Sequence, residues 1–171
     1  MDAVTILRNE MKQAHDIIEQ AVAGMSNEQL HHQAEGSTIK SVATIYAHTI
    51  LAEDYFMNGR ILDRAPLFDR DGVESKVGIG MLPMGGDPEP WLASIANVDF
   101  AALREYAAQV YAESDEMLGD LSATDLDRTV KFVDDMPLGQ FLSNVVVWHA
   151  VHHGGEICAL KGVQGGKGLP F

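Results

Sequence analysis

The 171-residue chain has a single cysteine, few basic residues and no uninterrupted apolar stretch of membrane-spanning length. Each shortage excludes something. With Cys158 alone, no intrachain disulfide can form, and any zinc site must be built from nitrogen and oxygen ligands. Twelve Lys and Arg against 25 Asp and Glu leave a net charge of −13, and the basic residues are scattered. Nucleic acid and anionic membranes are therefore poor partners, because a phosphate backbone or headgroup layer meets repulsion at most faces. Residues 1–24 interleave Arg8, Glu10, Lys12, Asp16 and Glu19 with apolar positions, which is neither an export signal nor a membrane span, so the expected location is cytoplasmic. Hydrophobic residues make up 46% of the chain, enough for one globular domain over residues 1–171 with a core that needs no metal in order to fold.

Helical periodicity dominates what is present. Val4, Leu7, Met11, Ala14, Ile18 and Ala21 recur at spacings of three and four, the stripe of an amphipathic helix ending near Gly24. Ser26 with Gln29 reads as a capping box opening a short turn of helix. A second long helix is predicted from a cap at Ser37 or Thr38, with Ile39, Val42, Ile45, His48, Ala52 and Tyr55 or Phe56 facing inward, to Asn58-Gly59. Asp99 caps a third, carrying Phe100, Leu103, Val110, Ser114 and Met117 inward as far as Gly119. The fourth runs from about Pro137 to Lys161 with Leu138, Leu142, Val146, His149, His153, Ile157 and Leu160 on one stripe.

Between the second and third helices, residues 60–86 lose periodicity and read as one long connection, either a loose crossover or a lid over a pocket with Phe68, Met81, Leu82 and Met84 as its cover. Asp87-Pro88-Glu89-Pro90 then starts a short helix bearing Trp91, Leu92 and Ile95. Residues 129–133 are β-rich and predict a short extended segment, one arm of a small hairpin. The sum is an all-α, up-down four-helix bundle with a long crossover loop, a fold that builds its sites from side chains projecting inward.

Seven histidines sort by helix phase. His15, beside Ala14 but off its stripe, and His31 and His32 in a polar turn are expected at the surface. His149 and His153 stand at i and i+4, about 6 Å apart along a helix axis, so both can face one cation. His152, rotated about 100° from His153, cannot join them. His48 alone reads as a core histidine; with the pair, on a neighbouring helix, it makes three nitrogen ligands, the count that leaves a position open for water or substrate. Glu156 shares the face of His149 and His153 and is the candidate general base or hydrogen-bond acceptor for a ligand imidazole. Glu53 and Asp54 point away from His48 and are weaker candidates for supporting a ligand imidazole. Gly154-Gly155 within a helix costs roughly 1 kcal/mol per glycine relative to alanine, which implies either a close approach or a kink. Cys158 and the aromatics Tyr46, Tyr55, Phe56, Trp91 and Trp148 read as packing.

Tyr46-Ala47-His48 on the second helix, His149-Ala150-Val151-His152-His153 with Gly155-Glu156 on the fourth, and the ending Leu160-Lys161-Gly162 through Gly168-Leu169-Pro170-Phe171 resemble the DinB-like family over nearly the whole chain. The resemblance implies a four-helix-bundle metalloprotein with His48, His149 and His153 as ligands of a divalent metal, zinc or nickel, and a homodimer. It further implies a metal-dependent enzyme, a thiol-dependent transferase or isomerase, using a low-molecular-weight thiol such as mycothiol, bacillithiol or glutathione on a small-molecule substrate. Water in place of the thiol makes it a hydrolase. The alternative is a non-catalytic, metal-stabilised dimeric helical module in stress response.

Overall fold

The computed structural model describes residues 2–83 and 85–169, in which the expected helical bundle forms. Helix α1 (Ala3–Val22) is capped by Asp2, whose carboxylate accepts the Thr5 N–H, and buries Leu7, Met11, Ala14, Ile18 and Ala21. Helix α2 (Asn27–His31) is the short turn opened by the Ser26/Gln29 box, each side chain taking the other's backbone N–H. Helix α3 (Val42–Asp54) begins later than its predicted cap. Ser37 instead closes a local turn, its hydroxyl bonding both the N–H and the C=O of Ile39, which lies exposed outside the helix. A serine satisfied by its own neighbours' backbone competes with helix formation, and Ser41 caps α3 by accepting the Thr44 N–H.

Nor does the helix stop at Asn58-Gly59. It continues through a π-helical segment, Tyr55–Ile61. The buried Asn58 amide donates to Asp54 and Glu113 while its oxygen accepts from Arg64, so it acts as an interior polar link and not as a terminator.

The connection read as one loop contains helices α4 (Leu67–Arg70) and α5 (Glu74–Val77), followed by α6 (Glu89–Ser94) where the Asp-Pro-Glu-Pro signature placed it. Asp54, fully buried on α3, holds this crossover to the bundle. Its carboxylate accepts the backbone N–H groups of Leu67 and Phe68, the Asn58 amide and the Tyr106 hydroxyl. A buried carboxylate with four donors is satisfied, and it also faces the electropositive start of α4.

Helix α7 (Phe100–Asp120) is capped by Asp99 as expected. Strands β1 (Thr129–Lys131) and β2 (Asp135–Pro137) form the predicted hairpin, antiparallel, with Val130 opposite Met136. Helix α8 (Leu138–Phe141), a π-helical segment (Leu142–Val147) and α9 (Trp148–Val163) run as one continuous last helix.

The packing order follows from which residues meet. Helices α1 and α3 each pack on both α7 and α9, so they stand at opposite corners. Gly154 lies beside Ile18 and the Lys161 ammonium reaches the Ala23 carbonyl, which makes α1 and α9 parallel. Arg104 pairs with Glu19 and Arg8 with Asp115, so α7 runs opposite to α1. Tyr46 faces Phe100 and Asn58 bonds Glu113, so α3 runs with α7. Two parallel neighbours need a connection that returns the length of the bundle, which is why the α3–α7 crossover is long.

Gly154 settles one of the choices left open by the glycine pair. A Cβ there would lie 3.3 Å from Ile18 Cγ1, so the missing side chain lets α9 approach α1 closely; at Gly155 a Cβ would meet nothing within 4 Å.

Candidate functional site

The inward phase of α3 and α9 brings His48, His149 and His153 together, although His48 and the pair are separated by some hundred residues of chain. One ring nitrogen from each lies within 4.8 Å of the other two. His48 Nε2 and His149 Nε2 are 3.0 Å apart. Bonds of about 2.0–2.1 Å to one shared cation place two nitrogens roughly 2.9–3.4 Å apart for angles between 90° and tetrahedral, so this pair already has ligand spacing. The rings of His48 and His149 are tilted, and His153 stands edge-on to both, which directs the three toward a common point and not into a stack.

Electrostatics favour the form a cation needs. Burial, reinforced by the neighbouring His153, pushes His48 down to about 4, against a weaker upward pull from Glu156. Burial, His153 and His48 push His149 down to about 3. Both imidazoles are neutral at ordinary pH, with lone pairs available for coordination. His153 Nδ1–H donates to Glu156 Oε2 at 2.6 Å. That bond fixes the tautomer and leaves Nε2 for the cluster, as carboxylate partners of metal-ligating histidines do. The all-imidazole donor set and its outer carboxylate therefore fit a divalent transition metal.

The sides of the cluster are unequal. Phe56 stands edge-on to His149, 5.7 Å between ring centroids, and closes the site toward the core. On the other side a cavity of about 330 Å³ opens, touching His48, His153 and Glu156 and walled by Ile39, Ile45, Trp91 and Leu92.

No curated protein matches this chain in sequence. The sequence model of the DinB superfamily matches residues 10–157. The chain belongs to the DinB superfamily. Among solved structures, a conserved protein from Enterococcus faecalis aligns with a TM-score of 0.79 at 19% identity, over 96% of this chain and 99% of that one. DfsB, described as a sibling lethal factor precursor, aligns with a TM-score of 0.68 at 16% identity, over 97% and 99%. YfiT from Bacillus subtilis, described as a probable metal-dependent hydrolase with an unusual four-helix bundle topology, aligns with a TM-score of 0.64 at 18% identity, over 96% and 89%. At these identities the likeness is one of fold.

Several expectations for this superfamily member are corrected by its structure. Of the two readings of residues 60–86, the lid is not what walls the cavity: Phe68 is buried edge-on against Tyr106, and the covering residues come from the segment leading into α3, from α3 itself and from α6. Met84, part of that expectation, lies outside the described residues, as do Pro170 and Phe171 of the familial ending. His15 is buried, not at the surface. Its ring stacks on Tyr111, 3.8 Å between centroids, and its Nε2–H donates to Glu53 at 2.9 Å, while Ser114 donates to the other Glu53 oxygen. Glu53 and Asp54 therefore serve a core network and the crossover, with no contact to the histidine cluster. A bundle helix packed on two neighbours buries a face wider than its central stripe, and His15 falls on that flank. A larger cleft of about 780 Å³ between α1 and α7, lined by Arg8, Lys12, His15 and Asp115, is separate from the cluster.

His152 stays out of the cluster, donating Nδ1–H to the Trp148 carbonyl. Trp148 is not core: it is 59% exposed and rests on the His152 ring. Cys158 is buried and its thiol is pushed up by burial, consistent with packing and not with a nucleophile. No helix among the described residues is long and apolar enough to cross a membrane.

Proposed function

We propose that this DinB superfamily member is a divalent-metal-dependent enzyme in which His48, His149 and His153 hold the ion, zinc or nickel, beside the cavity that receives a small substrate. The observation that carries the reading is the convergence of three imidazole nitrogens within 4.8 Å, two of them on histidines kept neutral by burial. The description of YfiT as a probable metal-dependent hydrolase on the same fold supports it. A bound divalent ion at an open three-ligand site supplies Lewis acidity, which lowers the pKa of water or of a low-molecular-weight thiol toward neutrality.

The protein's own groups do the rest. His48 and His153 line the cavity, so a substrate there meets the cluster directly, while Phe56 and the core behind His149 keep bulk water from its far side. Glu156 Oε2 orients His153, and the carboxylate also lines the cavity, where it accepts the proton of the attacking group.

Metal analysis of protein purified without a histidine tag tests the reading. About one equivalent is expected, lost in H48A, H149A and H153A; less than roughly a tenth of an equivalent, unchanged in the variants, contradicts it. One observation favours a second reading, a metal-stabilised homodimer without catalysis. Trp148 and Val151, 59% and 49% exposed on the outer side of α9, offer an apolar contact for a second copy. That reading requires metal removal to weaken dimerisation, and a metal-free protein that remains a folded dimer argues against it.

A further inference from the structure

The cavity beside the cluster is chemically lopsided, and the bias restricts what can sit in it. Its walls are the side chains of Ile39, Ile45, Trp91 and Leu92. Ile45 and Trp91 are anchored in the core. The polar atoms around it are mostly spent. The Trp91 indole N–H is given to the Gly80 carbonyl at 3.0 Å, so the ring presents carbon surface, and the Thr44 hydroxyl is paired with that of Ser41. Glu156 commits Oε2 to His153, and its other oxygen is the proton acceptor proposed above beside the cluster. Lys40 is different: it lines the cavity, and among the described residues its ammonium makes no salt bridge or hydrogen bond. In a chain with only twelve Lys and Arg, a half-buried unpaired lysine at the rim of an apolar pocket stands apart from the rest of the surface.

Resting on the metal-centre reading above, we propose that this pocket takes a small substrate with an apolar body and one anionic end, the body between Trp91, Leu92, Ile39 and Ile45 and the anion on Lys40. The reacting group is then presented to the His48/His153 side of the cavity, away from the substrate's charged end. Apolar walls stabilise such a body by roughly 25 cal/mol per Å² removed from water, while each further charge placed against them is desolvated without a partner. A glutathione-like thiol, with several charged groups, is therefore excluded from this pocket. Either water is the attacking group, or a thiol reaches the cluster from outside these walls. Recognition by one short-range ion pair over a hydrophobic slot is the usual division of labour in small-molecule sites, where few polar groups set orientation and the walls supply affinity.

The test compares isosteric probes, hexanoate, hexanol and hexylamine, titrated by calorimetry into metal-loaded, metal-free and Lys40→Met protein, with metal content measured in parallel. Hexanoate is expected to bind about twofold to fivefold more tightly than hexanol, with hexylamine weakest. K40M should abolish the hexanoate advantage while leaving metal content and hexanol binding unchanged, and L92A, which removes apolar wall without adding charge, should weaken all three probes. The inference is overturned if hexylamine binds as well as hexanoate, or if no probe binds the folded protein. It is also overturned if the hexanoate advantage survives in K40M and disappears on metal removal, since the carboxylate then sits on the metal. Failure of the underlying metal reading is separate and visible: it appears as protein without metal, whatever the probes do.

Discussion

Only one nitrogen of His153 can serve a cation, because the other is engaged by Glu156 at 2.6 Å. Glu156→Gln keeps the shape but replaces the charged acceptor, and it should weaken metal affinity by about 10- to 100-fold, measured by competition with a chromophoric chelator; unchanged affinity would remove Glu156 from the metal's support. The two depressed histidines make a prediction about acid. Their ordinary value is 6.5, and in the fold they sit near 4 and 3, so between those limits the unfolded chain binds more protons than the folded one. Stability of the metal-free protein should therefore fall as pH drops below about 6.5 and keep falling toward 4, beyond the loss shown by an H48Q/H149Q double variant; equal losses from pH 7 to 5 in urea unfolding contradict this. At this scale the cluster was legible in the sequence, because i, i+4 spacing and helix phase are local properties. His15 was not, because its burial depends on Tyr111 of the flanking α7 and on Glu53 reaching it from α3 at the opposite corner, which no local pattern records.

Among the elements, α9 shows two adjacent glycines with opposite roles. A Cβ at Gly154 would lie 3.3 Å from Ile18 Cγ1, whereas one at Gly155 would face open space. Gly154→Val should destabilise by about 1–3 kcal/mol through overpacking, and Gly155→Ala should stabilise by about 0.5–1 kcal/mol through helix propensity, both read from urea midpoints. Similar effects at the two positions would mean that the helix approach is wrong. Asp54 ties α3 to α4. Asp54→Ala should cost about 3 kcal/mol or more and release the Leu67 and Phe68 amides to faster hydrogen exchange, since four donors lose a buried acceptor. Helix existence could be read from periodicity, and the Ser26 and Asp99 starts from their caps, but the two ends of α3 could not. Ser37 spends its hydroxyl on Ile39, and Asn58 is turned inward by Asp54 and Glu113, so the residues that signal ends in isolation were committed elsewhere by the fold.

For the whole molecule, the length of the crossover has a cause in topology: α3 and α7 are parallel neighbours, and the chain must travel the length of the bundle between them. The same journey delivers Trp91 and Leu92 of α6 to the cavity beside the histidines, so the short helix after the aperiodic stretch carries part of the wall of the site. The length of the connection suggested a lid as readily as a loose crossover; the described residues of 60–86 do not line the cavity, because Phe68 is drawn into the core beside Tyr106 and the wall falls to the helix after them. The measurement that tests the account most directly is the metal content and structure of the tag-free protein. About one divalent ion per chain is expected, ligated by His48, His149 and His153 Nε2 with its open side toward Trp91 and Leu92. A folded protein that takes up no metal at micromolar zinc or nickel, with the three histidines bonded only to one another, would contradict it.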